Sequence, residues 1–499
     1  MSILAAGAFV ITFGRVQLWY DESNYVDLAG AIDRFGFPVW FWDPEVPRLF
    51  LDSPPLVIYL TAGLRRLFGD NIFVLRLFYA SLFSLIPAVA LFYYVSRRRL
   101  PLIVFSVTAI FCVSSGYFTF ELIQLRMDLP LSGIGFALLV FAASTGETQA
   151  RPLRHFLVVA ALSTIAFLTK YQAVCITFAL LLNVAVERSL TSGKAGLRLF
   201  AGNLLGVAIG VLAMLGLTWL SGVGNQLSEI LDNFNTNVGR VWIEGGSSFG
   251  ASLTWIWWIA TLVAAKIAVP VSVLLMVFGR SGKRLLNDDP LFRLSVLLIV
   301  SVALFNLAVF RMPGAGGYYM IQAAPPLGYV MGRSIAEIIE TRRLRALGVI
   351  LMLTLMHLTV NWQWGNPGLQ RWDAGSKSLR SLSGRDFYSR AADVLKGRLQ
   401  PNDILLMDGW KYQGRILPVL LRRPDHYGFL FDMTPDRAEA VIRESPVAAV
   451  ALLGKESELQ LHTDEWAGVR DLISRSFILL PKKETGPNWT IYVRRPTGS

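Results

Sequence analysis

The chain has 499 residues, of which 54% are hydrophobic and only 16% charged, with a net charge of +12. Apolar runs of near bilayer-crossing length recur along most of it, which excludes an ordinary soluble enzyme and points to a polytopic membrane protein. The basic residues fall in short clusters between apolar runs, so the excess reads as membrane topology, not as a nucleic-acid surface.

In chain order, the run from Met1 to Phe13 is apolar but lacks the basic start and small-residue cleavage site of a signal peptide. It is short for a span and has no basic lead-in, so the given start is expected to fall slightly inside the first helix. Apolar length places about eleven spans, near 1–14, 73–95, 101–115, 128–145, 155–170, 172–187, 198–220, 251–279, 291–310, 317–335 and 346–362. If they alternate, the clusters at Arg97–Arg99, Arg151 and Arg154, Arg188, Lys194 and Arg198, Arg280 to Arg284, and Arg342 to Arg345 all share one side. By the positive-inside rule that side is the cytoplasm. The 15–72, 116–127 and 221–250 loops, and everything after residue 362, then lie outside. Cys112 and Cys175 stand inside apolar runs and read as packing residues.

The 18–56 stretch is unusual for a connector. It holds Asp21, Glu22, Asp27 and Asp33, just after an apolar run ends. Asp21 is placed to start a helix, as a short acid that accepts from free backbone N–H groups. Tyr25, four residues on, shares its face. Pro54-Pro55 stiffens the re-entry, and 57–69, with Arg65 and Arg66, is too short to span and fits an amphipathic interfacial helix. The 221–250 loop, polar and aromatic, is a candidate cover. After Trp364 charged residues become frequent. Ile404–Met407 and Val447–Leu453 read as strands, 435–444 as a helix, and Ile491–Val493 as a last strand, so 365–499 is expected to be a small soluble α/β domain beside a 1–364 membrane domain.

On the same membrane face Arg126 and Asp128 open one span, Lys170 ends another, Arg311 follows a third and Tyr318-Tyr319 opens a fourth. Singly, each has an ordinary explanation: a helix cap for Asp21 and Asp128, a snorkelling anchor for Lys170. Together they form a candidate pocket for an anionic lipid headgroup.

With these residues in view, Asp21-Glu22-Ser23-Asn24-Tyr25, Pro54-Pro55-Leu56, Leu67-Phe68-Gly69 and Arg76-Leu77 resemble the first extracytoplasmic loop of the GT-C membrane glycosyltransferases. The likeness is to the branch of the protein O-mannosyltransferases and the bacterial aminoarabinose transferase of lipid A. Arg126 to Pro130, Leu168 to Lys170, and Tyr318-Tyr319 with Pro325-Pro326 fall in the order of that family's further short motifs, so the resemblance covers roughly 1–340. One departure is Ser53, where the aminoarabinose branch often has a lysine before the two prolines.

The resemblance implies a GT-C-like membrane domain and a polyprenyl-phosphate-linked sugar donor, used on the extracytoplasmic face of a bacterial-type plasma membrane. It matches Asp21 to the family's essential first-loop aspartate. Asp21 is then the base or acceptor-orienting group. Glu22, Tyr25 and Tyr318 are candidate substrate contacts, Arg126, Lys170 and Arg311 candidate phosphate clamps, and Tyr319 a candidate hydrogen-bond donor. Asp128 has three open roles: binding sugar hydroxyls, supporting Lys170 or Arg126, or sharing a divalent cation with Asp21 or Glu22. The acceptor, a lipid, glycan or protein, is not legible. The alternative reading is a transporter or flippase of a lipid-linked substrate, against which stand the surface placement of the charges and the lack of an internal repeat.

Overall fold

The computed structural model describes residues 20–50, 54–114, 125–144, 152–190, 193–222, 280–309, 320–341, 384–408, 416–422, 426–486 and 488–495. The chain falls into two compact units. One comprises residues 1–15, 51–57 and 73–371; the other comprises 16–50, 58–72 and 372–499.

The described part of the first unit is helical. It contains α3 (Ile72–Arg97), α4 (Leu102–Ser114), α5 (Asp128–Ala143), α6 (Pro152–Thr169), α7 (Val174–Leu190), α8 (Lys194–Leu220), α9 (Arg280–Asp288), α10 (Pro290–Val309) and α11 (Ala324–Glu340). All but α9 fall at expected spans; the spans expected near 1–14, 251–279 and 346–362, and most of the 221–250 loop, lie outside the described residues. Among the described residues, Ile72–Arg97, Pro152–Thr169, Tyr171–Arg188 and Lys194–Leu220 are long and apolar enough to cross a bilayer, and shorter apolar helices cover Leu102–Cys112, Asp128–Ala143 and Pro290–Phe305. The chain is an integral membrane protein.

Helices that leave water for lipid gain little from hydrophobic burial against each other, so they pack through close backbone approach. A Cβ on Gly206 of α8 would lie 2.3 Å from the Ala160 carbonyl oxygen of α6. One on Gly332 of α11 would lie 2.6 Å from the Val104 carbonyl oxygen of α4. A buried polar layer joins other helices. Asp289 caps α10 through the Phe292 N–H (3.1 Å), accepts from the hydroxyls of Tyr94 (3.0 Å) and Tyr329 (2.7 Å), and faces Arg333 at 3.3 Å. Nearby on the helix, Arg293 donates to Asn183 and Glu187 of α7, both at 2.9 Å. Each buried charge here has an opposite charge or hydrogen-bond partner, as a dry environment requires.

The second unit begins with α1 (Tyr20–Phe35) and the hairpin β1 (Val39–Asp43) and β2 (Val46–Leu49). Helix α2 (Leu56–Phe68) follows Pro54-Pro55, covers the expected amphipathic stretch, and belongs to this unit from Ile58 onward. Then come α12 (Gly384–Lys396), β3 (Ile404–Met407), α13 (Ile416–Leu421), β4 (Tyr427–Phe429), α14 (Pro435–Glu444), β5 (Val447–Leu453), α15 (Gly454–Leu461), α16 (Ala467–Ser476), β6 (Phe477–Leu479), α17 (Lys482–Thr485) and β7 (Trp489–Arg494). The sheet order is β4-β3-β5-β7-β6, with β3 parallel to β4 and β5, and β7 antiparallel to β5 and β6.

Side chains alternate across the strands, and both faces are covered, which is why β3 and β5 are apolar at every position. Leu405, Met407, Tyr427, Ala449, Ala451 and Ile491 pack with α12 and α13. Ile404, Leu406, Val450 and Leu452 pack with α14 and α16. The first of these cores also takes in Phe41 of β1. The sequence divides the chain at residue 364, whereas in space the first loop groups with the C-terminal sheet.

Candidate active site

Two groups of the expected residues are described, one in each unit. In the membrane unit, the turn before α5 is wholly buried: Leu125 and Met127 are inaccessible, and the Tyr79 hydroxyl of α3 donates to the Arg126 carbonyl at 3.0 Å. The turn aims Arg126 and Asp128 together. Lys170 ends α6 in an extended conformation, and a short 3-10 turn, Tyr171–Ala173, leads into α7. Lys170 Nζ donates to Asp128 Oδ1, and Arg126 Nη2 lies 3.5 Å from Asp128 Oδ2. All three side chains are largely buried, at 10%, 4% and 16% exposure for Arg126, Asp128 and Lys170. One carboxylate thus faces two cations, in surroundings where charge is poorly screened.

Of the partners considered for Asp128, Lys170 and Arg126 are in contact with it. For the divalent cation, among the described residues no group of three or more His, Cys, Asp and Glu side chains is arranged to hold a metal ion. Arg311, Tyr318 and Tyr319 lie outside the described residues. The segment just after Tyr319 is described. Met320–Ala323 forms a 3-10 turn into α11, Ser132 of α5 donates to the Ile321 carbonyl at 3.0 Å, and Gln322 Nε2 donates to Gln172 Oε1 at 3.3 Å. The start of α5 and the turns before α7 and α11 are therefore tied together. Ser132, Gln172 and Gln322 were not legible in the sequence; their only signal is a polar residue within a turn of a charged one at a span end.

In the second unit, Asp21 lies on the backbone of α1, four residues before Tyr25, as its spacing predicts. Glu22 and Ser23 are fully buried, and Asp27 is 3% exposed. Arg65 of α2 donates to the Val26 carbonyl at 3.0 Å, and Arg66 donates to Asp33 at 2.6 Å. Asp27 accepts from the Tyr427 hydroxyl of β4 at 2.6 Å. The hairpin acids are held by Arg437 of α14, which donates in a fork to Asp43 (2.6 and 3.0 Å) and to Glu45 (2.7 Å). Burial pushes the Asp43 carboxyl up, but Arg437 outweighs it and holds Asp43 below its ordinary value. Bonds from Ser445 and Arg437 hold Glu45 low as well.

Residues 52–217 match the family described as dolichyl-phosphate-mannose-protein mannosyltransferase. A comparison with curated proteins gives no match. Among solved structures, the chain is similar to ArnT from Cupriavidus metallidurans bound to undecaprenyl phosphate, at 13% identity over 99% of this chain and 97% of that one, with a TM-score of 0.64. It is also similar to the apo state of the same ArnT, at 15% identity over 99% and 96% of the two chains, with a TM-score of 0.59. The fold is that of the ArnT structures, and the family match over residues 52–217 lies within the stretch in which the sequence resembles the GT-C membrane glycosyltransferases.

Proposed function

We propose that this chain is an integral-membrane glycosyltransferase that moves a sugar from a polyprenyl-phosphate-linked donor to an acceptor hydroxyl on the extracytoplasmic side. The observation that carries the reading is the buried Arg126–Asp128–Lys170 cluster, which gathers two cations at one place. A phosphodiester donor carries a negative charge that two cations favour, and the charge that grows on the departing phosphate meets fixed cations in a poorly solvated site. The ArnT relative was solved with undecaprenyl phosphate, a lipid of this class.

Asp21 takes or orients the proton of the acceptor hydroxyl, with Glu22 and Tyr25 of α1 contacting substrate. Arg126 and Lys170 hold the donor phosphate, and Asp128 holds both of them in place. Arg311, Tyr318 and Tyr319 join this assignment from their order in the sequence, Arg311 as a further cation, Tyr318 as a substrate contact and Tyr319 as a hydrogen-bond donor. Sidedness follows from the positive-inside rule. A common side for the first loop and the C-terminal sheet is supported by the direct hydrogen bonds between them.

The test is Asp21→Asn, assayed for sugar transfer from a polyprenyl-phosphate donor pool, with melting temperature in parallel. Loss of a general base costs roughly a hundredfold to ten-thousandfold in rate. Asn is nearly as good a helix cap as Asp, so a capping role predicts normal transfer, and that result would remove Asp21 from the mechanism.

A further inference from the structure

The helix that carries Asp21, Glu22 and Tyr25 is not held by its own loop alone. Arg65 and Arg66 secure it locally, but the contact at Asp27 comes from Tyr427, 400 positions along the chain, in a buried bond of 2.6 Å. The hairpin that follows α1 is fastened to the same part of the chain. Phe41 is 4% exposed in the core beside the sheet, its ring 5.7 Å from Phe35 at the end of α1 and 6.2 Å from Tyr427. Arg437 forks onto Asp43 and reaches Glu45, and Ser445 donates to Glu45. The fit is close: a Cβ on Gly428 would lie 2.6 Å from Cδ of Pro44 in the hairpin turn.

Adhesion alone does not account for this chemistry. Apolar contacts would join loop and sheet without burying the Asp27 carboxylate, whose desolvation opposes folding. Charge-assisted bonds and a guanidinium fork add direction, because they are satisfied in one geometry only. Tyr427 also opens β4, whose register against β3 pairs it with Leu405 in the sheet core. The bond to Asp27 is thus anchored in a rigid element. Asp27 lies six residues from Asp21 on one helix, a rise of about 9 Å, and a helix transmits a displacement over that distance nearly rigidly.

We propose that the C-terminal sheet is the positioning element of the transferase, with Tyr427 and Arg437 setting helix α1 so that Asp21, Glu22 and Tyr25 meet the substrate in register. This rests on the function proposed above, and on Asp21 in particular. Neither Tyr427 nor Arg437 touches substrate; both act through α1 and its hairpin. Small misplacements of a reacting group are costly, and a shift of about 1 Å can cost on the order of a hundredfold in rate.

The experiment uses the full chain in lipid nanodiscs and compares Tyr427→Phe, Asp21→Asn and the double variant in transfer from a polyprenyl-phosphate-sugar pool. Tyr427→Phe is expected to lower kcat by ~10-fold to ~100-fold with KM for the donor unchanged, because the phosphate-binding cations lie in the other unit. Placed on Asp21→Asn, it should lower the residual rate by far less than it lowers the rate of the unaltered chain, since the reacting group being positioned is already gone and only the contacts of Glu22 and Tyr25 remain to be lost. Arg437→Lys, which keeps the charge and loses the fork, serves as the second variant if Tyr427→Phe does not fold, with the same split between kcat and KM expected. A lowered melting temperature with unchanged kcat would overturn the proposal, as would losses that multiply in the double variant. Full transfer by Asp21→Asn alone would instead overturn the assignment of Asp21, and this proposal with it.

Discussion

Removing Asp128 and removing Lys170 break the same ion pair, yet the two substitutions should have opposite signatures. Asp128→Ala takes away the acid that both Arg126 and Lys170 face and leaves two mostly buried cations together. Breaking a buried pair by deleting one partner costs about 3–5 kcal/mol, and repulsion between the two cations adds to it. Lys170→Met keeps the aliphatic stem, and Asp128 still faces Arg126 at 3.5 Å, so its charge is not orphaned. Losing the hydrogen bond to Asp128 costs about 1.5–3 kcal/mol, as for other bonds to a charged group. Asp128→Ala should therefore unfold at the lower temperature. Lys170→Met should be the more stable of the two, yet bind bare undecaprenyl phosphate roughly 10-fold to 100-fold more weakly, because the same order of energy is lost from the lipid complex. The assays are thermal unfolding of the detergent-solubilised variants and titration with undecaprenyl phosphate. If Lys170→Met unfolds at or below the temperature of Asp128→Ala, the reasoning about the shared carboxylate fails. If it binds the lipid as the unaltered chain does, Lys170 serves Asp128 alone.

Three further outcomes follow from the geometry. Gly206→Val should lower the melting temperature by an overpacking cost of about 1–3 kcal/mol or more, whereas Gly216→Ala, where an added Cβ meets nothing within 4 Å, should not destabilise. Asp43 and Glu45 titrate below their ordinary values, so the stability they lend is present above about pH 4 and is lost as pH falls through their lowered values. Hydrogen exchange in 39–49, corrected for intrinsic rate, should show the hairpin loosening at acid pH, and Arg437→Met should weaken that dependence, leaving the part due to Ser445 and the Glu45 N–H. A reporter fused near residue 400 should be active on the extracytoplasmic side, and a cytoplasmic signal there would reverse the assigned sidedness.

Much of the architecture is written locally. The apolar stretches that become α3, α6 and α8 announce themselves by length, since a helix must satisfy its backbone internally to cross lipid. Helix α2 is legible from two prolines followed by an amphipathic run, and β3 and β5 from short apolar runs that end at turns. Other elements were not legible for a plain reason. Strand β4 is three residues long and carries no period, and β6 is equally short.

The sequence by itself determined the solvent each segment faces, and hence the class of protein, because hydropathy is a sum over neighbouring residues. It also marked Asp21, Arg126, Asp128 and Lys170 as charges standing where apolar runs begin or end. What it did not determine is which charges meet. That Asp128 lies between Arg126 and Lys170, and that Asp27 and Asp43 are held by Tyr427 and Arg437, was decided by tertiary structure alone. Pairings across some 40 or 400 positions leave no trace in local composition or period; they exist only once helix packing and sheet register have brought the partners within hydrogen-bond reach.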